Sequence, residues 1–175
     1  MPFDRHPPIR NVAWRVLSLS VLAVACTYAR ADGASTVYSD GKPIKMVDTY
    51  GCSEPDILND GKRVTIVAFA DGRINKAAAN AADEPCRALT GQVGTTFHTL
   101  VELKIKYDGT VYNIQTYDAN GTSSRSDRGT LKLTRNDGKR VEGSFVTDDA
   151  SRKSAPGGAF YDLHFGVDVA GAGGS

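Results

Sequence analysis

The chain is 175 residues long, 41% hydrophobic and 8% aromatic, with 21 basic against 20 acidic side chains and a formal net charge of +1. That length suits one domain able to bury roughly 68% of its unfolded surface, enough for a proper core. Charges of both signs are mixed along the chain with no basic stripe, which argues against a nucleic-acid partner.

Residues 1–31 read as an export signal. Arg5, Arg10 and Arg15 precede an apolar run from Val16 to Ala25, and Ala29-Arg30-Ala31 supplies the small-x-small pattern of a cleavage site. The run falls short of the roughly 20 residues that a membrane-spanning helix needs. The expectation is an exported chain without a transmembrane span, periplasmic or secreted. Cleavage after Ala31 takes away four arginines and one aspartate, which moves the formal charge from +1 to −2. It also takes Cys26 and leaves Cys52 and Cys86, an even number in a compartment where disulfides persist, so these two are expected to pair. Such a bridge closes a loop of about 35 residues and stabilises by about 3 to 4 kcal/mol on the chain-entropy account. In a rival reading Cys26, which follows Ala23-Val24-Ala25, is acylated as the first residue of a lipoprotein and anchors the same domain to a membrane.

From residue 32 to 169 the periodicity is that of a single β-rich domain. Ile44 to Tyr50 reads as a first strand, and Arg63 to Ala70, a short β-branched run with Val64, Ile66, Val67 and Phe69, as a more buried one. The segment Ile74 to Leu89 holds the one helical signal, an alanine-rich stretch that Pro85 is expected to break. Between Phe97 and Tyr107, Val101, Leu103, Ile105 and Tyr107 alternate with Glu102, Lys104 and Lys106. Asp108-Gly109 follows and predicts a type I′ hairpin turn into Val111 to Tyr117. Asp118 to Arg128 and Thr147 to Gly158 read as exposed loops. A second hairpin joins Thr130–Thr134, with Leu131 and Leu133 inward, to Val141–Phe145 through Asn136-Asp137-Gly138. The run Ala159 to Val169 places Tyr161, Leu163, Phe165, Val167 and Val169 on one face and Asp162, His164 and Asp168 on the other. Residues 170–175, all small, are expected to be a disordered tail. Asn-Asp-Gly-Lys-Arg-Val stands at 59–64 and again at 136–141, a repeat that turn chemistry explains as readily as duplication.

No residue set dictates a reaction. His164 with Asp162 can form a histidine-carboxylate pair on a strand face, suited to base work, but no nucleophile motif accompanies it. No spacing marks a metal or cofactor site. Asp118-Ala119-Asn120-Gly121-Thr122 opens like a calcium loop, yet Gly129 stands where the bidentate glutamate belongs. Recognition is the remaining signal: tyrosines are many, and Tyr112 and Phe160 lie off the face assigned to the core. With His164 and Asp162 they make the candidate binding surface.

The segment Gly129-Thr-Leu-Lys-Leu-Thr-Arg-Asn-Asp-Gly-Lys-Arg-Val-Glu-Gly-Ser-Phe145, with Tyr161-Asp-Leu-His-Phe165 after it, resembles the carboxy-terminal half of small secreted β-rich proteins of unknown function from Gram-negative bacteria. The resemblance implies location and fold, and no activity. The fold expected is mainly β, an antiparallel β-sandwich or partly closed barrel of about seven strands with one short helix. The function expected is that of an exported, non-catalytic binding module that engages a protein or envelope component through a sheet face or edge. The alternatives are a lipocalin-like carrier with an apolar pocket inside a barrel and, least favoured, a hydrolase using His164 and Asp162.

Overall fold

The computed structural model describes residues 34–118, 121, 123–126, 128–154 and 159–171, for 123–126 and 154 without their side chains. The expected export signal, Cys26 and residues from 172 onward lie outside the described residues. The described chain is mainly β. Its strands are β1 (Thr36–Ser39), β2 (Lys42–Lys45), β3 (Asp48–Pro55), β4 (Arg63–Ala70), β5 (Leu100–Ile105), β6 (Val111–Tyr117), β7 (Ser123–Ser126), β8 (Thr130–Asn136), β9 (Arg140–Val146) and β10 (Phe160–Ala170). Three short helices accompany them: α1 (Lys76–Ala81), α2 (Pro85–Thr90) and α3 (Asp149–Ser154).

The strands form one sheet in the order β2-β1-β10-β3-β4-β5-β6-β7, with the β8–β9 hairpin attached to the other edge of β10. Each pairing is antiparallel except that of β10 with β3, where Val169 and Ala170 stand parallel to Gly51 and Cys52. The sheet curls into a half-barrel around its apolar inner face.

The elements exceed the expected seven strands and one helix for local reasons. The run Ile44 to Tyr50 splits at Met46-Val47, where the chain changes partners: Met46 N–H donates to the Ser35 carbonyl and Val47 N–H to that of Ala70. β1 is too short to show a period, and its link to β2 is a two-residue turn in which Asp40 and Gly41 both take positive φ, 49° and 73°. At Asp108-Gly109, the expected site of such a turn, only Gly109 has positive φ, 81°. There Asp108 accepts from Thr110 N–H and Oγ1 at 2.9 and 2.6 Å and shapes a longer loop in place of type I′. Pro85 separates two helices by opening the second, since the first helical position needs no N–H donor. β7 and α3 form within stretches whose glycine, serine and aspartate content reads as loop.

Two cores result. Inside the curl, Phe69 meets Phe165 edge-on at 6.1 Å between ring centroids and Phe145 meets Tyr161 at 6.5 Å, with Leu103, Ile105, Ile114 and Leu163 filling between them. The buried Tyr161 hydroxyl is satisfied by Thr116 Oγ1 at 2.9 Å. On the outer side of β3, β4 and β5, α1 and α2 cover Tyr50, Ile66, Ala68 and Leu100 with Ile74, Ala79 and Leu89. The Cys52–Cys86 disulfide ties α2 to β3 as expected.

Glu102 lies on the helix-covered side of β5, only 3% exposed, with Tyr117 Oη donating at 3.3 Å and Lys104 Nζ at 3.8 Å. Burial raises its pKa above the ordinary value of 4.5, against the pull of Lys104. The folded chain therefore holds this proton to higher pH than the unfolded chain does, so stability falls as pH rises above the unfolded pKa. Glu102→Gln is expected to match the parent near pH 4 and to exceed it by about 1 kcal/mol at pH 7, measured by denaturant titration across that range. Lys104 keeps its 2.9 Å partner Glu54 in the variant. An equal margin at both pH values would mean that Glu102 does not titrate differently in the two states.

Candidate functional site

The outer core that α1, α2 and the disulfide form lies on β3, β4 and β5; among the described residues none of β9 belongs to it and only the end of β10, Ala170, packs against it. Even-numbered residues of β10 point to the outer side, because Tyr161, Leu163, Phe165 and Val169 belong to the inner core. Phe160, Asp162 and His164 thus share one face, with Tyr38 of β1 opposite Phe160 and Ser144 of β9 opposite His164. His164 Nε2 lies 3.1 Å from Asp162 Oδ1. Tyr112 is not among them. It occupies a bulge of β6, where Ile105 pairs with Val111 and Lys104 with Asn113, and Lys106 Nζ stands 5.8 Å from its ring.

Beside this face the sheet opens. β10 pairs with β1 through Asp162 and with β3 only from Val169 onward, so the two neighbours diverge along its edge like the arms of a fork. Val169 N–H donates to the Lys139 carbonyl and the Tyr161 carbonyl accepts from Thr147 N–H, both on the β9 side. Odd-numbered main-chain groups of β10 therefore face β9 and even-numbered ones face the fork. Ser35 Oγ accepts from His164 N–H and donates to the His164 carbonyl, each at 2.9 Å, and so closes the upper end. Below it the N–H groups of Gly166 and Asp168 look into a cleft of about 1190 Å³.

Charge-paired polar groups rim this cleft. Arg140 reaches across from β9, its Nε 2.5 Å from Glu142 Oε1, its Nη1 2.9 Å from Asp168 Oδ1 and its Nη2 3.4 Å from the Gly166 carbonyl. These bonds hold the guanidinium charged, above its ordinary range. On the opposite wall Asp48 accepts from Ile74 N–H at 3.0 Å and pairs with Lys76 Nζ at 2.7 Å, which fixes the start of α1. Tyr50 Oη donates to Asn80 Oδ1 at 2.5 Å. Met46 and Phe165, buried members of the inner core, supply apolar lining.

No family model, curated protein or solved structure matches this chain.

The arrangement can recognise more readily than it can react. Among the described residues no hydroxyl or thiol bonds the His164 ring, and the Ser35 hydroxyl is engaged with the His164 main chain. No group of three His, Cys, Asp or Glu side chains is placed to hold a metal ion among the described residues. No described helix is long and apolar enough to cross a membrane. Arg140, Asp48, Lys76 and Asn80 were not singled out by sequence, since each is one charge or amide among many in turns and strand ends. Gly166 did carry a signal: a glycine inside an otherwise regular strand marks a place where the backbone is left open or approached closely.

Proposed function

We propose that this protein is an exported, non-catalytic binding module that recognises a partner protein or envelope component through the bare outer face of β10 and the fork beside it. One observation carries the reading. α1, α2 and the disulfide pack on the outer side of β3, β4 and β5, while β10 presents half-buried aromatic, histidine and carboxylate side chains beside an open strand edge. The bridge between two buried cysteines suits an oxidising, extracytoplasmic compartment. A carrier role finds less support, because Phe69, Phe145, Tyr161 and Phe165 fill the interior of the curl where an apolar ligand would sit.

The test places a photo-crosslinking amino acid at position 162 and exposes the folded protein to the envelope fraction of its own host. A discrete crosslinked band is expected. Phe160→Ala combined with His164→Ala should reduce it about tenfold, the effect of losing roughly 1.4 kcal/mol of contact energy. The double variant should melt within a few degrees of the parent, as both side chains are only half-buried. A band of unchanged intensity in the double variant would remove this face from recognition.

A further inference from the structure

The fork is a gap in the interior of a sheet, and its chemistry specifies what fits. Three main-chain groups of β10 face it, the N–H of Gly166, the N–H of Asp168 and the Gly166 carbonyl, the last held among the described residues by a long 3.4 Å bond from Arg140. Two donors about 7 Å apart with an acceptor between them form the pattern that an extended main chain presents to a strand. A side-chain ligand or a small anion does not match that spacing. The edge is closed at both ends, by Ser35 on His164 and by the parallel contact of Val169 with Gly51. A strand cannot run through it, and only a chain that terminates there can lie along it.

We propose that the fork receives the extended chain end of a partner protein, of which about three residues add to β10 as a short strand. This rests on the binding-module reading and names its ligand class. The lining predicts the side-chain preference of that end. Successive residues of a strand point to opposite sides, so one meets the apolar Met46 and Phe165 and the next meets the Arg140–Asp168 and Lys76–Asp48 ion pairs. The favoured end alternates apolar and polar residues. Asp168, its side chain 84% exposed, and the half-exposed Lys76 leave charge available to either a terminal ammonium or a terminal carboxylate.

The probes are two random hexapeptide libraries, one with free amino ends and one with free carboxyl ends, selected against the folded mature protein. Expected is enrichment of alternating sequences from one of them, and slowed hydrogen exchange of the Gly166 and Asp168 amides when a selected peptide is added. Gly166→Pro removes the N–H that faces the fork and no bond to β9, so it should weaken peptide binding at least tenfold. Gly166→Ala keeps that N–H, and its added Cβ meets Arg140 Nη2 at 3.5 Å and Glu142 Cγ at 3.6 Å, ordinary contact distances, so it should fold as the parent does and lose less binding than the proline variant. The exchange measurement stands even where the proline variant fails to fold. Amides of Gly166 and Asp168 that are already protected in the free protein would overturn the proposal, since the chain itself would then fill the edge. So would enriched peptides that ignore Gly166→Pro, and if those crosslink at position 162 the binding-module reading survives while the chain-end proposal falls. Failure to enrich from either library also overturns it, with the photo-crosslinking experiment left to judge the broader reading.

Discussion

Replacing Cys52 and Cys86 together by alanine is expected to lower stability by about 4 kcal/mol and the melting temperature by roughly 8 to 16 °C. The bridge spans 34 residues of sequence, and freeing a loop of that length returns entropy to the unfolded chain. It also releases α2 from the sheet. That helix has six residues, too few to persist unaided, and only Leu89 and Cys86 of it are buried. Because Cys52 is fully buried and Cys86 nearly so, reductant should leave the native protein intact and act only after it has been unfolded. Differential scanning calorimetry of the oxidised parent, of parent unfolded and refolded in reductant, and of the double variant measures this. A fall of under 3 °C, corresponding to about 1 kcal/mol, would show that Leu89, Ile74 and Phe97 hold the outer core without the bridge.

The second large effect is expected at the base of the fork. A Cβ added at Gly51 would lie 2.5 Å from the Asp168 carbonyl oxygen and 2.9 Å from Val167 Cγ2. Neither can give way cheaply, because β10 is fixed on its other edge by seven paired residues of β9. Gly51→Ala should therefore drive β3 away from β10, break the only parallel contact among the described strands and cost about 3 kcal/mol. Denaturant titration gives the loss, and hydrogen exchange of the Ala170 amide locates it. A variant that keeps the parent's exchange rate at Ala170 would mean that the two strands separate there without consequence for the fold.

The β elements with clean alternation were legible. β10 matches its expected span within a residue at each end because side-chain period and burial agree there, and β4 matches its span entirely as a short buried run rich in β-branched residues. The Cys52–Cys86 disulfide was legible from cysteine parity once the expected export signal is set aside. What escaped was set by partners distant in sequence. β3 begins where Val47 turns to Ala70, and β1 exists because β10, more than a hundred residues later, pairs with it. The site shows the same division. Asp162, His164 and Phe160 share a face, as simple alternation implies, whereas Tyr112, expected beside them, lies on β6 with β3, β4 and β5 between it and β10. The cleft itself could not be read, because it is a property of how β1 and β3 part along β10 and no local motif encodes such a divergence.

The order in which these strands leave the ribosome differs sharply from their order in space. β10 is made after the other nine described strands, yet β1, β3 and β9 all pair with it, and no described pairing joins β1 to β3 directly. A chain emerging from its amino end can join β3 to β4, but β1 and β3 share no partner strand until β10 arrives. The pairings that close this sheet thus join residues more than a hundred positions apart, contacts whose loop-closure entropy must be met before they form and which make folding slow.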